Sequence, residues 1–178
     1  MPAQPDGSTR AAHNTWQDFS DTSEQMALAH EAKAVNDVKR QHRFTVVIGN
    51  PPYSKLSGNW NEWIDSLLHG RGSDAAAAPD YYQVDGAGLG ERTVWIQDDY
   101  IKFTRLSQWQ IDRSGTGIHG YISNNGYLDN TTLCGMRQQL HESFPCMYLV
   151  DLHGSMKRGE VGTDGTADGN VFDIQQGV

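Results

Sequence analysis

The residues best suited to chemistry are Asn50-Pro51-Pro52-Tyr53. Asn50 offers an amide oxygen and Tyr53 an aromatic face. Two consecutive prolines fix φ and remove two N–H donors, so the nearby carbonyls are left as acceptors in a stiff loop. Acceptors beside a stacking surface suit a flat substrate carrying an amino group. The same four residues are also compatible with a plain tight turn in which Tyr53 only packs.

The elements around the tetrapeptide argue for the first reading. Phe44-Thr45-Val46-Val47-Ile48 is an apolar run that leads through Gly49 into Asn50. A buried strand followed at once by a rigid polar turn presents reactive groups at the carboxyl edge of a sheet. Leu28, Ala32, Val35 and Val38 recur at helical spacing and predict a helix over 22–40, after a flexible leader at 1–20. Residues 54–94 form a long, turn-rich connection, with a short helix between Trp60 and Leu68. Ile96, Tyr100, Phe103, Leu106 and Trp109 mark one face of an amphipathic helix over 95–112. A strand is expected at Ile118–Ser123. A helix follows, capped by Asn130, with Leu133, Met136, Leu140 and Phe144 facing inward. Further strands are expected at Met147–Leu152 and from Asn170 to Val178. Strands alternating with helices predict an α/β fold with a mostly parallel sheet.

Composition sets the limits. A chain of 178 residues with 37% hydrophobic content can build one core. No apolar run is long enough to span a bilayer, and residues 1–15 lack the pattern of a secretory signal. Cys134 and Cys146 form neither a disulfide framework nor a metal pattern, which suits a reducing cytosol. None of the seven histidines has metal-ligand spacing. The formal net charge of −8 is unfavourable for broad phosphate contact, so a nucleic-acid substrate would have to be held mainly by other surfaces.

Asn-Pro-Pro-Tyr after a hydrophobic strand resembles the catalytic motif of amino-group methyltransferases that use S-adenosylmethionine, above all the adenine-N6 DNA methyltransferases. The blocks "VKRQHRFTVVIGNPPYS", "WIQDDYIKFTRLSQWQI", "GIHGYISNNGYLDN", "CMYLVDLHGSMKRG" and "NVFDIQQGV" occur in that order. Together they resemble the methyltransferase modules of single-chain restriction–modification enzymes, over about residues 20–178. The tetrapeptide alone also fits methyltransferases acting on protein glutamine or RNA. A non-catalytic remnant that only binds a partner is a further alternative.

The resemblance implies a partial Rossmann-like methyltransferase fold that takes S-adenosylmethionine as cofactor and DNA with a flipped adenine as partner. It implies that Asn50 and the Pro51 carbonyl accept the two hydrogens of the exocyclic amine, at roughly 2.7–3.2 Å. An aniline-like nitrogen is a poor nucleophile because its lone pair is delocalised into the ring. Two acceptors on its hydrogens favour a tetrahedral nitrogen and free that pair. Alignment of this kind can contribute on the order of 7–11 kcal/mol. Tyr53 would stack on the flipped base, worth roughly 1–3 kcal/mol, and Phe172 would pack against its edge. Phe172 is equally compatible with a core position. Asn124, Asn125 and Tyr127 follow a strand and could line the site, although Asn125-Gly126 is also an ordinary turn. Asp98 and Asp99 are expected to serve the helix dipole only. Lys157 and Arg158 are candidates for phosphate contact. The literal G-x-G-x-x-G at Gly115–Gly120 follows a helix and precedes a strand, the reverse of the order a dinucleotide fingerprint needs.

The family's glycine-containing cofactor loop is not found in residues 1–43, nor is a target-recognition domain found after the last block. The expectation is therefore the carboxyl half of a catalytic domain, partnered by an N-terminal half. Alone it would have an exposed sheet edge, marginal stability and weak cofactor binding.

Overall fold

The computed structural model describes residues 15–53, 57–71, 78–90, 93–155, 159–172 and 177–178. The chain divides into two units, residues 1–42 and 43–178. The first contains helix α1, Thr15–Gln41. It begins inside the stretch expected to be a flexible leader, and Leu28, Val35 and Val38 lie exposed along it.

In the second unit, β1 (Val46–Gly49) leads through the candidate tetrapeptide to α2, Glu62–Leu68. Asn61 caps α2 by accepting from the Ile64 N–H at 2.9 Å, which satisfies one of the helix's orphan donors. A two-stranded antiparallel hairpin follows, β2 (Gln83–Val84) and β3 (Ala87–Gly88). Its turn residues Asp85 and Gly86 have φ of 50° and 77°, the left-handed pair that an Asp-Gly type I′ hairpin requires. Sequence reading treats this stretch only as connection, yet Val84-Asp85-Gly86-Ala87 carries the hairpin signal.

A 3₁₀ turn at Thr93–Gln97 precedes the central helix α3, Asp99–Ser114, which ends at Gly115 with φ 75°. Next comes β4, Ile118–Tyr121, paired parallel to β1 in the register Val46 to Ile118 and Gly49 to Tyr121. The sheet's inner face meets α3, where the Tyr121 hydroxyl lies 2.6 Å from Ser107 Oγ. On its other face Val46, Ile48 and Ile118 are exposed. Asn130 caps a 3₁₀ turn by accepting from the Thr132 N–H, and α4 follows at Cys134–Ser143. Leu133, Met136 and Leu140 are buried and Phe144 packs beside them, as their spacing predicts.

The architecture is thus α/β with a parallel β-pair and packed helices. Two expectations need correction. The predicted apolar stripe is buried at Ile96 and Tyr100 but is not the only face of α3 that sinks inward. Phe103 is 38% exposed, whereas Ile101, Arg105 and Gln108 are fully buried. The reason is that α3 is packed on several sides at once, so apolar periodicity cannot single out one inner face. Arg105 Nε donates to the Leu67 carbonyl of α2 at 2.9 Å, and Gln108 Nε2 donates to Gln139 O and Ser143 Oγ of α4. Polar side chains there reach neighbouring elements and hydrogen-bond to them through these atoms, although Arg105 Nη1 is buried with no hydrogen-bond partner among the described residues.

The second correction concerns the expected later strands. Residues 147–152 form no ladder, and Tyr148 and Val150 are 92% and 80% exposed. A strand is defined by its partner, and among the described residues this segment has only one backbone bond of that kind, Leu152 N–H to Val178 O at 2.7 Å. Residues 170–172 form a turn rather than a strand start, with the Phe172 N–H donating to Asn170 Oδ1. Residues 173–176 lie outside the described residues.

Candidate active site

The parallel pair places its carboxyl ends together. Ile122 N–H donates to the Gly49 carbonyl at 3.1 Å, carrying the pairing one step past the strand ends. Gly49 faces the Tyr121 ring so closely that a Cβ there would lie 3.0 Å from Tyr121 Cε1. A larger residue where the strand delivers the tetrapeptide would require the Tyr121 ring to shift by a few tenths of an ångström.

Asn50 is exposed, Pro51 is buried, Pro52 is exposed and Tyr53 is half-buried. The Tyr53 hydroxyl donates to Asn50 Oδ1 at 3.2 Å and reaches the Ile122 carbonyl at 3.5 Å. This ties the corner across the ends of both strands. Burial raises the Tyr53 hydroxyl above its ordinary pKa, so it stays protonated and a donor at neutral pH. The Tyr53 ring meets Tyr100 edge-on, with centroids 6.3 Å apart and planes at 78°. Tyr100 in turn lies 6.4 Å from Tyr127. Burial, with Asp98 nearby, raises the Tyr100 hydroxyl strongly.

Of the other candidates, Tyr127 joins this aromatic group. Asn124 is spent on its own turn, accepting from the Gly126 N–H. Asn125 donates from Nδ2 to Asp151 Oδ1 at 3.2 Å, and its N–H donates to Gly177 O. Both asparagines are therefore structural. Phe172 is half-buried, and among the described residues no hydrogen bond or ring contact joins it to the corner. Lys157 and Arg158 lie outside the described residues. Gly115 is the left-handed cap of α3 and Gly117 packs against Ile111 and the Thr45 carbonyl, so the literal glycine fingerprint there is a helix-to-strand joint.

Sequence reading misses the cluster behind the corner. Asp99 is 4% exposed and its carboxylate accepts from Ser57 Oγ and, at 3.3 Å, from Asn59 Nδ2. Lys102 Nζ donates to the Asn59 carbonyl at 2.9 Å. The first turn of α3 therefore grips the chain just beyond Tyr53. A carboxylate at a helix start has an ordinary dipole explanation, which hides this role in the sequence.

An open cleft of about 550 Å³ lies elsewhere on this unit, between the stacked His69–Tyr82 pair, Leu89 and Gln97. It shares no lining residue with the corner. Among the described residues no group of His, Cys, Asp and Glu could hold a metal ion, and no helix is long and apolar enough to cross a membrane. The described residues ahead of β1 are mostly helical.

Comparison with known proteins follows the same lines. The Eco57I restriction-modification methylase family matches residues 3–157. The chain is similar in structure to the ATP-dependent Type ISP restriction-modification enzyme LlaBIII bound to DNA, with a TM-score of 0.58 and 31% identity over 80% of this chain and 9% of that one. A nuclease-deletion mutant of the Type ISP restriction-modification enzyme LlaGI, in complex with a DNA substrate mimic, shares the fold at a TM-score of 0.57 and 22% identity. That likeness covers 81% of this chain and 14% of the other. The chain thus spans about a tenth of the length of these enzymes. No curated protein matches it.

Proposed function

We propose a function from one premise: the chain belongs to the Eco57I restriction-modification methylase family. It carries the amine-presenting corner of a DNA methyltransferase that methylates the N6 of a flipped-out adenine in a restriction–modification system. The observation that carries this reading is the exposed Asn50 amide at the joined ends of β1 and β4, beside the half-buried Tyr53 ring.

The parts follow from chemistry. Asn50 Oδ1 and the Pro51 carbonyl accept the two hydrogens of the exocyclic amine, and Pro52 stiffens the turn that holds them. In the free protein Asn50 Oδ1 is occupied by the Tyr53 hydroxyl, so the amine replaces or shares that bond on entry. Tyr53 stacks on the extruded base, as enzymes acting on a base within a duplex require. Phe172 packs on the base edge only if its segment closes toward the corner. The methyl group comes from S-adenosylmethionine. The part assigned to this chain is to hold the accepting amine.

The net charge of −8 is unfavourable for broad phosphate contact by this chain and is in keeping with DNA being held mainly by other surfaces. Two free cysteines are in keeping with a reducing cytosol. The same acidity supports a second reading in which the chain binds DNA or a partner without transferring a methyl group. Incubation with radiolabelled S-adenosylmethionine and mixed-sequence duplex DNA, with a separately supplied N-terminal half of the catalytic domain, separates the two. Label should enter DNA with wild type and not with Asn50→Ala. DNA retention without label supports the second reading.

A further inference from the structure

Tyr53 needs a fixed ring to stack on a base, and the described residues flanking it give it little burial. Pro52 on one side and Ser57 to Asn59 on the other are largely exposed. Its ring is held from α3. Tyr100, 4% exposed and part of the main core, presents its ring edge-on to Tyr53. One residue earlier, the Asp99 carboxylate takes two hydrogen bonds from the far arm of the same loop, Ser57 Oγ and Asn59 Nδ2. Lys102 adds a third through the Asn59 carbonyl. The near arm is tied to the sheet through the Tyr53 hydroxyl, Asn50 and Ile122.

We infer that Tyr100 and Asp99, on the first turn of α3, are positioning residues that set the plane of the Tyr53 ring against the substrate base. This deepens the proposed function and rests on it for the identity of the base. Neither residue touches the reacting atoms. Tyr100 acts through an edge-to-face contact, which fixes ring orientation where a rounded aliphatic side chain would not. Asp99 acts by holding the loop taut, and its buried charge is matched by charge-assisted hydrogen bonds that a neutral replacement weakens. Pre-set orientation of this sort is what keeps a reacting group in near-attack alignment.

The test uses the full chain with 3-fluorotyrosine in place of tyrosine, and ¹⁹F NMR. The Tyr53 signal is assigned by its loss in Tyr53→Phe, and exposed Tyr148 serves as the internal reference. Tyr100→Leu and Asp99→Ala should each move the Tyr53 signal toward that of Tyr148 and broaden it. Tyr100→Phe should leave it in place, because the ring edge is kept. In the transfer assay, Tyr100→Leu and Asp99→Ala should lower kcat at least tenfold with KM for S-adenosylmethionine unchanged, and Tyr100→Phe should restore kcat. An unmoved Tyr53 signal in both Tyr100→Leu and Asp99→Ala overturns the inference whatever the activity. A moved signal with unchanged kcat overturns it too. Wild-type protein with no transfer counts against the proposed function alone, and the fluorine spectra then decide this inference. If Tyr100→Leu fails to fold, the spectrum of Asp99→Ala, which alters only loop contacts, is decisive.

Discussion

The Tyr53 hydroxyl donates a hydrogen bond to the Asn50 side-chain oxygen at 3.2 Å. The residue proposed to stack on the base therefore also aims the residue proposed to accept its amine. The two functions separate on substitution. Tyr53→Phe removes an exposed neutral hydrogen bond, worth about 1 kcal/mol at most, and keeps the ring. Tyr53→Ala removes the stacking surface as well, worth roughly 1–3 kcal/mol. Steady-state methyl transfer should show kcat/KM falling no more than about fivefold in Tyr53→Phe and by roughly 5–150-fold in Tyr53→Ala. Equal losses in both would make the hydroxyl, not the ring, the important part.

His119 on β4 predicts a pH dependence of stability. Its Nε2 is buried with no hydrogen-bond partner among the described residues, and burial pulls its pKa from 6.5 to about 4. Between those values the unfolded chain takes up a proton that the folded chain refuses. Stability is therefore fully present above about pH 6.5 and is lost as pH falls toward 4, by on the order of 3 kcal/mol in total. Urea unfolding at pH 7.5 and pH 5 should show the decline. His119→Phe, which cannot titrate, should shrink it by about one proton's worth of slope.

The polar interior of α3 predicts another cost. Tyr81 is fully buried and its hydroxyl donates to Gln108 Oε1 at 2.9 Å, while Gln108 Nε2 binds Gln139 O and Ser143 Oγ. Tyr81→Phe leaves Gln108 Oε1 buried without its donor. The expected loss is about 1–3 kcal/mol by urea denaturation, with methyl transfer per folded molecule unchanged. A loss below 0.5 kcal/mol, taken here as a rough detection limit, would mean that water or a rearranged Gln108 satisfies the oxygen.

Ile48 and Ile118, on the uncovered face of the parallel pair, are 79% and 65% exposed. Parallel sheets normally have both faces covered, and exposed apolar surface of this kind promotes association. Sedimentation velocity should show concentration-dependent self-association of the chain that Ile48→Asp reduces. Equal association of wild type and variant would exonerate this face.

Particular residues show what was readable in the sequence. α4 could be located because its apolar residues serve a single buried face. β1 and β4 could be located as short apolar runs between turn signals, although Val46, Ile48 and Ile118 stay exposed rather than buried. Asn130 caps the 3₁₀ turn just ahead of α4 rather than α4 itself. The tetrapeptide could be located because a strand had to deliver it. Residues 147–152 misled because a run such as Tyr148-Leu149-Val150 has strand character whether or not a partner lies beside it. Arg105 and Gln108 were unreadable as interior residues, since only their hydrogen bonds to other elements make that burial tolerable. The Asp99 grip on Ser57 joins positions 42 residues apart, and nothing local in the sequence announces it.

The most direct test of the central claim is where the methyl group lands. DNA treated with wild-type protein, the separately supplied N-terminal half and S-adenosylmethionine is digested to nucleosides and analysed by mass spectrometry. The proposed adenine-N6 reading, with Asn50 and the Pro51 carbonyl as acceptors for the exocyclic amine, predicts N6-methyladenine as the product, reduced at least 100-fold in Asn50→Ala, on the scale seen when one preorganised hydrogen-bonding group is lost from an active site. Methyl transfer to a ring carbon, or N6-methyladenine formed equally well by Asn50→Ala, would contradict it.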